Sequence, residues 1–551
     1  MPPVQEQPKQ STNSLKKSQE SFDTLDLDVW YTPIGSIAPG VQRLTEAFFT
    51  KKKTHSLQFR LNQLRNVYFE IKDNVDQLSD ALYKDFHRSR FETRNLEILG
   101  GLNEIVHIME NLQNWSKPEK VTDLPLNLKT QPVYIERIPL GVVLIISPFN
   151  YPFFLSISAV VGAIAAGNAV VLKQSEMTPN FSKLFSEILT KALDPDIFLA
   201  VNGAIPETTE VLNQKFDKIM YTGNNMVGTI VAKKAAETLT PTILELGGKS
   251  PAFILDDVQD KDLDTVARRV AWGRFTNAGQ TCVAVDYVLV PKKLHGKFVA
   301  SLNKVMSEEL YPNIDSKDDE YTHIIHDRAF KNLSSMLEST QGDIIIGGVT
   351  EASSRFIAPT VVDNVSWDDI VMKNEIFGPI LPIIEYETLS DAIIQAQRRH
   401  DTPLAQYIFT SGSTSRKYNR QVDQILTTIR SGGTIINDVI LHVGLLNAPF
   451  GGVGNSGMGA YHGKFSFRHF THERTTIESK LWNDFIVKVR YPPYTKNKDT
   501  LVRAAQSSYG GKVWFGRVGD VKVSGPNAFF TVWNEFTATM GLMKEFVSKG
   551  L

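Results

Sequence analysis

The hydrophobic positions of this chain cluster first in residues 138–172, a long stretch without a charged residue or a histidine. Its length would suffice for a membrane helix. However, Pro148 and Pro152 interrupt it after a β-branched block, and Gly167 followed by Asn168 interrupts it again. Parallel strands that are covered on both faces read as continuous apolar runs, so the stretch fits a strand–helix–strand unit better. The predicted strand, helix and second strand cover 141–147, 153–166 and 169–173.

Strand and helix patterns continue to alternate after this unit. Predicted strands lie in 198–203, 216–223 and 240–248, and predicted helices lie in 180–193 and 224–239. A second series has a helix near 260–275 and strands in 251–257, 282–290, 343–348, 380–386 and 434–438. This alternation predicts an α/β architecture, with an open, doubly wound parallel sheet followed by another α/β unit.

The two ends of the chain depart from this pattern. The first residues are rich in Gln, Ser and Lys with scattered acids, which predicts a disordered leader over 1–40 and neither a secretory signal nor a transit peptide. At the other end an amphipathic helix is predicted over 526–548. Its apolar face comprises Phe529, Trp533, Phe536, Met540, Met543 and Val547. Such a helix either docks on the protein's own surface or lies on a membrane or lipid droplet, because its polar residues prevent it from spanning a bilayer.

Composition narrows the classes of function. The chain has 551 residues, of which 42% are hydrophobic and 22% charged, and its net charge is −1. This balance, without a basic stripe studded with aromatic residues, argues against nucleic acid as a partner. The single cysteine indicates a reducing, intracellular setting and excludes paired thiolate metal sites. Because the chain has no HExxH motif and no close His/carboxylate cluster, no metal is predicted.

The one cysteine, Cys282, lies in the stretch NAGQTCVAVD. A lone cysteine is usually a small buried hydrophobe, and the alternative is a nucleophile. Asn150 stands in a stiff turn between two prolines, where its amide can donate to an oxyanion or simply form the turn. Glu245 ends an apolar strand just before two glycines. It is either a general base or an exposed acid at a strand end.

Two further positions offer groups to a cofactor. Gly223 and Gly228 lie between a strand and a helix, where backbone N–H groups can bind phosphate, although a plain turn fits the same spacing. Lys173 ends a buried strand and Glu176 follows it. The carboxyl ends of parallel strands are where such sheets bind ligands, so Glu176 either holds a ribose diol or belongs to a solvated loop.

Seven stretches occur in a fixed order: PFNYP, KQSE, YTGNNMVG, ELGGKSP, NAGQTC, EIFGPILP and PFGGVGNSGMGAYHGKFSF. Together they resemble the motifs of the aldehyde dehydrogenase superfamily. The last one, with KVRYPPY after it, is most similar to the fatty-aldehyde (class 3) branch. The resemblance covers about residues 40–495. It favours the nucleophile interpretation of Cys282, with the glycine turn leaving room for substrate at the sulfur.

The resemblance implies a role for each matched residue. Cys282 would be the nucleophile, Glu245 the general base, and Asn150 an oxyanion donor together with the backbone N–H of Cys282. The implied cofactor contacts are Phe149, Lys173, Glu176, Gly223, Gly228, Glu375 and Phe377. The chain departs from the family pattern at three places: Phe149 replaces a Trp, Gln174 a Pro, and Asn224-Asn225 a Ser-Thr pair.

The implied fold is aldehyde dehydrogenase-like: a Rossmann-type doubly wound cofactor domain, an α/β catalytic domain and a small β oligomerisation element. The implied NAD-binding domain covers 41–248, with 125–140 contributing to the β element, and the catalytic domain covers 249–447. Residues 448–495 would return to the cofactor domain and oligomerisation element, and 496–551 would form a C-terminal extension.

The implied reaction is the NAD-dependent oxidation of medium- to long-chain fatty aldehydes to carboxylic acids, through a cysteine thiohemiacetal and a thioester. Glu176 would pair with a free ribose 2′-hydroxyl and repel a 2′-phosphate, which favours NAD and leaves NADP as the alternative. The resemblance also implies a homodimer. The expected location is intracellular and facing the cytosol, with the tail on a membrane or lipid droplet.

Two other functions stay open. The first is a cysteine esterase that works without a cofactor, for which the sequence offers no visible Cys-His pairing. The second is a catalytically inactive scaffold with the same fold. A scaffold needs none of Asn150, Glu245 and Cys282, so their joint presence argues against it.

Overall fold

The computed structural model describes residues 31–124, 128–129, 131–484, 488–506, 513–514, 518 and 521–523. The chain divides into two compact units. The first comprises the chain up to Pro118 together with Glu136–Arg474, and the second comprises Glu119–Ile135 and the chain from Thr475 onward.

The strands of the described residues are β1 (Glu119–Lys120), β2 (Val133–Pro139), β3 (Val142–Ile146), β4 (Ala169–Lys173), β5 (Phe198–Val201), β6 (Lys218–Gly223), β7 (Thr242–Leu246), β8 (Pro251–Ile254), β9 (Tyr287–Pro291), β10 (Asp343–Ile346), β11 (Thr350–Glu351), β12 (Phe356–Ile357), β13 (Thr360–Asp363), β14 (Ile380–Tyr386), β15 (Ala405–Phe409), β16 (Gly433–Ile436), β17 (Gly457–Met458), β18 (Thr471–Ile477), β19 (Val513–Trp514) and β20 (Lys522–Val523).

The α-helices are α1 (Ile34–Thr50), α2 (Leu57–Asp73), α3 (Val75–Phe86), α4 (Arg90–Glu92), α5 (Leu99–Trp115), α6 (Pro152–Ala165), α7 (Pro179–Ala192), α8 (Ile205–Asn213), α9 (Asn225–Ala236), α10 (Leu263–Phe275), α11 (Lys292–Lys304), α12 (Asp327–Ser339), α13 (Ile370–Lys373), α14 (Leu389–Arg399), α15 (Arg420–Thr428), α16 (Gly463–His469) and α17 (Lys496–Gln506). Two π-helical segments, Thr93–Ile98 and Val305–Leu310, adjoin α5 and α11.

A six-stranded sheet in the first unit has the order β17-β7-β6-β3-β4-β5 within the described residues. Its strands are parallel except β17, which pairs with β7 in the antiparallel sense. The uncharged stretch of the sequence forms β3, α6 and β4, and every residue of α6 is buried. The strand–helix–strand prediction is therefore confirmed. Among the described residues no helix is both long and apolar enough to cross a membrane.

A seven-stranded sheet of the same unit has the order β10-β13-β14-β9-β8-β15-β16 in the described chain. Its strands are parallel apart from β10, which is antiparallel to β13. The chain passes from the first sheet to the second between Leu246 and Pro251, where the sequence placed the domain limit. The prediction of two successive α/β units is confirmed.

A three-stranded sheet has the order β1-β2-β18, and it contains the predicted β element around 125–140. The second unit is held by contacts between the 131–135 and 475–479 segments. Tyr134 donates to the Glu478 carboxylate, and the Glu478 amide donates to the carbonyl of Pro132. The oligomerisation role of this element stays a prediction.

Three predictions need correction or fall outside the described residues. The leader does not extend to residue 40, because α1 begins at Ile34 after Pro33 and buries Ile37 completely. The strand predicted from Cys282 begins at Tyr287, because the residues before it form a turn in which the Ala284 amide donates to the Thr281 carbonyl. The amphipathic helix predicted over 526–548 lies outside the described residues.

Candidate active site

Cys282 follows a tight left-handed turn between α10 and β9. Asn277, Ala278 and Gly279 have φ values of 55°, 50° and 70°. At Gly279 an added Cβ would lie 2.2 Å from the carbonyl oxygen of Gly378, so glycine is required by both conformation and space. The space at this glycine is thus filled by the 375–378 loop. The expectation that the glycine leaves room for substrate at the sulfur is not borne out.

Glu245 approaches the Cys282 sulfur from the end of β7. Its Oε1 lies 3.8 Å from the Cys282 Sγ, and its Oε2 accepts a hydrogen bond of 2.9 Å from the Tyr461 hydroxyl. The side chain is buried, not exposed as a plain strand-end acid would be. Burial raises the pKa of Glu245 to about 7, against the lowering effect of hydrogen bonds from Tyr461, Cys282 and Thr222. A carboxyl with this pKa can take up and release a proton near neutral pH.

The surroundings of Cys282 favour the protonated form of its thiol. Burial raises the pKa of Cys282 well above its usual range, and the charges of Glu245 and Glu375 add to this effect. Both are carboxylates, which oppose a thiolate beside them. Attack by the sulfur therefore requires a proton acceptor, and the Glu245 oxygen at 3.8 Å is placed to be one.

The Asn150 turn is tied to the Cys282 turn by backbone and side-chain contacts. The Asn150 carbonyl accepts from the Asn277 amide group at 3.0 Å and from Arg88 at 3.1 Å. The Tyr151 hydroxyl lies 2.8 Å from the Thr281 hydroxyl, next to Cys282 in the chain. Asn150 is buried, and these contacts bring its turn to the residues around the sulfur.

A cavity of about 180 Å³ opens onto Cys282. Of the described residues that line it, none is charged and most are apolar. They are Asn95, Leu96, Gly100, Tyr151, Phe154, Leu155, Trp272, Thr276, Thr281, Cys282, Val283, Ile440, Leu441, Val443, Gly444 and Phe450. Such a lining favours an apolar substrate whose reactive carbon is presented to the sulfur.

Another group of predicted residues lies at the carboxyl ends of β4 and β6. Lys173 is buried, donates to the Gln174 carbonyl at 2.6 Å, and has its Nζ 3.6 Å from the Glu176 carboxylate. Burial lowers the pKa of Lys173, while Glu176 opposes this. Glu176 is partly exposed, so its carboxylate remains accessible to a ligand.

The β6–α9 turn is built for close packing. The side chain of Asn224 caps α9 by accepting from the Val227 amide at 2.9 Å, which explains how the chain tolerates an Asn where the family has Ser. An added Cβ at Gly223 would lie 2.3 Å from the Tyr221 hydroxyl, and one at Gly228 would lie 2.6 Å from the Leu246 side chain. The two glycines thus serve the packing of this turn, which leaves the helix N-terminus available to phosphate.

Glu375 and Phe377 lie on the loop between α13 and β14. Glu375 Oε2 would be 2.0 Å from a Cβ at Gly247, so this loop lies against the segment that follows Glu245. Burial raises the pKa of Glu375 to about 8, and the charge of Asp286 adds to this. The ring of Phe377 meets the ring of Phe149 edge-on, with centroids 5.8 Å apart.

Comparison with known proteins identifies the arrangement. The model of the aldehyde dehydrogenase family matches residues 41–476. The chain belongs to the aldehyde dehydrogenase family.

Individual relatives agree with this assignment. The chain is 41% identical to fatty aldehyde dehydrogenase HFD1 of Saccharomyces cerevisiae, over 89% of this chain and 93% of the relative. It is also 41% identical to the dimeric NADP-preferring aldehyde dehydrogenase of Canis lupus familiaris, over 84% and 98% of the two chains. A solved structure of Staphylococcus aureus AldH in a substrate-bound state matches with a TM-score of 0.78 and 36% identity, covering 85% of this chain and 98% of that one. The predicted family, fold class and enzyme class are confirmed, and the chain is an NAD(P)-dependent aldehyde dehydrogenase.

The residues of this aldehyde dehydrogenase fit a dinucleotide. Glu375 has a buried Oε1 without a hydrogen-bond partner in the described part of the chain, which leaves an acceptor for a hydroxyl donor. Lys173 and Glu176 offer a cation and a carboxylate at the end of β4, and α9 begins after the end of β6, a strand of the same sheet. The described residues contain no group of three or more His, Cys, Asp or Glu able to hold a metal ion.

Some residues of the site were not predicted from the sequence. Tyr461 contacts Glu245 directly, Arg88 and Glu97 support the Asn150 turn, and Asp286 supports the Glu375 loop. Tyr461 lies within the last of the seven motifs, in AYHGK, and this position could have marked it as a residue of the site. The charged residues gave no such signal, because they lie outside the seven motifs or, for Arg88, contact a motif residue 62 positions away.

Proposed function

We propose that this aldehyde dehydrogenase oxidises medium- to long-chain fatty aldehydes to carboxylic acids, with Cys282 as nucleophile, Glu245 as base and Asn150 as oxyanion donor. The observation that carries the proposal is the position of the Cys282 sulfur, which faces Glu245 at 3.8 Å and opens onto an apolar cavity. The printed name of the yeast relative, a fatty aldehyde dehydrogenase, supports the substrate class.

In the first step the Cys282 thiol gives its proton to Glu245 as the sulfur bonds to the aldehyde carbon. The aldehyde oxygen becomes an oxyanion, which the Asn150 amide and the Cys282 backbone N–H stabilise. Bound NAD(P) supplies the acceptor for the hydride that leaves this thiohemiacetal carbon. The product of the step is a thioester on Cys282.

In the second half Glu245 must first release its proton to solvent. It then takes a proton from water as the water oxygen attacks the thioester carbon. The C–S bond breaks, the carboxylic acid leaves, and the sulfur regains a proton. The pKa of Glu245 near 7 suits both uses, because the group is neither permanently charged nor permanently neutral at that pH.

For the cofactor, Phe149, Lys173, Glu176, Gly223, Gly228, Glu375 and Phe377 are proposed to form the binding surface. NAD is favoured, since the Glu176 carboxylate repels a 2′-phosphate. The canine relative is named NADP-preferring, so the ratio of kcat/KM with NAD to that with NADP is the decisive measurement.

The test is a kcat/KM series over aldehydes of two to sixteen carbons, with both cofactors. A rise in kcat/KM with chain length is expected, and a decline would contradict the fatty-aldehyde proposal.

Two variants test the catalytic residues. Cys282→Ser should abolish oxidation, and Glu245→Gln should stall after at most one NADH per site. Hydrolysis of an ester without NAD(P), with no oxidation of aldehydes when NAD(P) is present, would instead support an esterase.

The assembly and location are also proposed. We expect a homodimer, in agreement with the printed name of the canine relative, in an intracellular and cytosol-facing setting. The tail is proposed to bring the enzyme to a membrane or lipid droplet. Mass measurement in solution tests the dimer. Liposome flotation of the full chain and of a chain ending at Gly525 tests the tail, and equal absence of binding would overturn it.

A further inference from the structure

Tyr461 lies in a segment whose backbone is held at two places, and one of them is the strand that carries Glu245. Its backbone forms an antiparallel bridge with Phe450, with hydrogen bonds of 3.1 and 2.9 Å. A few residues earlier, Gly457 pairs with Glu245 in the β17–β7 ladder. Tyr461 itself has no exposed surface. The hydroxyl is therefore fixed relative to the Glu245 backbone.

The two oxygens of Glu245 have different partners. Oε2 accepts from the Tyr461 hydroxyl at 2.9 Å, and Oε1 faces the Cys282 sulfur at 3.8 Å. A carboxylate can rotate about its last bond, so one anchored oxygen determines where the other points. A hydrogen bond to a charged acceptor is shorter and stronger than a neutral one, which suits this anchor.

We propose that Tyr461 is a positioning residue for the aldehyde dehydrogenase reaction, holding Glu245 Oε1 toward the sulfur and the attacking water. This inference rests on the proposed role of Glu245 as the base. Tyr461 touches neither substrate nor cofactor, and it acts through the carboxylate alone.

The groups around Glu245 explain why the Tyr461 hydroxyl affects the ionisation of this carboxyl. Tyr461 and Cys282 face it directly, and the Thr222 hydroxyl donates from β6. Glu375 faces Cys282 from the loop, and Glu104 and His462 lie behind Tyr461, with His462 Nδ1 3.5 Å from Glu104 Oε2. Burial disfavours charge on Glu245, so the neutral donors around it are what stabilise its ionised form.

Tyr461 remains a donor throughout the working pH range. Burial raises its pKa well above the usual range, and the charge of Glu245 adds to this. Its hydrogen bond lowers the pKa of Glu245. Removing the hydroxyl therefore raises the pKa of Glu245, and the pH above which Glu245 can act as a base moves upward.

The test is Tyr461→Phe, which keeps the ring against Phe450 and removes only the hydroxyl. The matched control is Tyr386→Phe, another buried tyrosine, whose hydroxyl donates to the Ile254 carbonyl at 2.7 Å. Steady-state kcat and the NADH burst are measured against pH with a short aldehyde. We expect the acidic limb of the kcat profile of Tyr461→Phe to move up by about one pH unit, so that kcat at pH 7 falls about fivefold. KM should change by less than about twofold, the rate of the NADH burst should shift with pH in the same way because the first step also uses Glu245, and the deficit should narrow at high pH.

A loss of kcat that is equal at every pH, or an unchanged profile, would overturn the proposal. Glu245→Gln, measured in parallel, separates the proposal that Glu245 is the base from the proposal that Tyr461 positions it. If it keeps steady turnover, the proposed base is wrong, whereas a stalled Glu245→Gln with a normal Tyr461→Phe profile refutes only the positioning role. If Tyr461→Phe does not fold, incorporation of 3-fluorotyrosine at position 461 provides a stronger donor of nearly the same size. The limb should then move to lower pH, and no movement would refute the role.

Discussion

Two loops of the active site rest on buried ion clusters of opposite composition. Under the Asn150 turn, the cation Arg88 lies between two carboxylates. It bonds to Glu97, and its Nε lies 3.9 Å from Glu92. The other oxygen of Glu97 accepts from the Phe153 and Phe154 amides at the start of α6, at 2.8 and 3.1 Å.

Under the Glu375 loop, one carboxylate lies between two cations. Asp286 accepts from Lys249 at 2.6 Å and from Arg274 at 2.7 Å. The Ile376 amide also donates to Asp286, at 3.2 Å, and Arg274 reaches the Gly378 carbonyl. Each cluster thus supports one part of the site, the Asn150 turn for Arg88 and the Glu375 loop for Asp286.

Burial acts in the same direction on the two carboxylates, but the net shifts of their pKa values are opposite. Burial raises the pKa of Glu97, and the single neighbouring cation does not compensate. For Asp286 burial also acts to raise the pKa, but the two cations outweigh it and hold the pKa below the usual range. Both groups are fully buried, so the depth of burial does not explain why their pKa values shift in opposite directions. The number of cations beside each carboxylate does.

The largest expected effect is that of Asp286→Asn. It leaves Lys249 and Arg274 buried without a counter-charge, and breaking a buried pair costs roughly 3–5 kcal/mol of folding free energy. Denaturation in urea should show a clearly lower midpoint than the wild type. The control is Asp264→Asn, which removes an exposed pair with Lys304 and should change little. Similar midpoints for the two variants would show that the cluster does not hold the fold.

A smaller effect is expected from Glu97→Gln. Glutamine keeps one acceptor for the α6 amides or Arg88, so the loss should be roughly 1–3 kcal/mol. Because Arg88 also supports the Asn150 carbonyl, kcat should fall by a larger factor than KM changes. Denaturation and steady-state kinetics measure the two parts. If the variant is stable and its kcat is normal, the Arg88–Glu97 pair does not influence the Asn150 turn.

The smallest effect concerns pH. A raised pKa means that Glu97 binds its proton more tightly in the fold, so it favours folding at low pH and opposes it as the pH rises. Asp286 has the opposite sign, since its contribution is present above the unfolded pKa and is lost as the pH falls through the folded one. As the pH falls, Glu97 should protonate first and weaken as an acceptor. Hydrogen exchange should then lose protection at Phe153 and Phe154 before Ile376, and simultaneous loss would contradict the comparison.

Local patterns predicted the central elements well. The strand predicted over 169–173 matches β4, because a fully buried parallel strand leaves an unbroken apolar run. The motifs assigned Cys282 and Glu245 to one site, and the two side chains lie 3.8 Å apart. The start of β9 was misplaced, since Val283 and Val285 have the residue type of a strand but belong to a turn.

Long-range partners could not be predicted in this way. Arg88 and Asn150 are 62 residues apart in sequence, and Lys249 and Asp286 are 37 apart. A charged residue in a helical pattern reads as a solvated face, and only the packing of α6 against its neighbours reveals that Glu97 is buried. The same limit applied to Tyr461, whose role depends on a strand more than 200 residues away.

The lone thiol determines how this enzyme responds to oxidants. Cys282 is the one cysteine in the whole sequence, so the chain has no second thiol to trap a sulfenic acid as an internal disulfide. Without such a resolving partner, further peroxide would carry the sulfur to the irreversible sulfinic and sulfonic states unless a small external thiol intervened first. Because each chain carries one cysteine, the amount of a thiol-alkylating reagent that the enzyme consumes equals the amount of intact active sites.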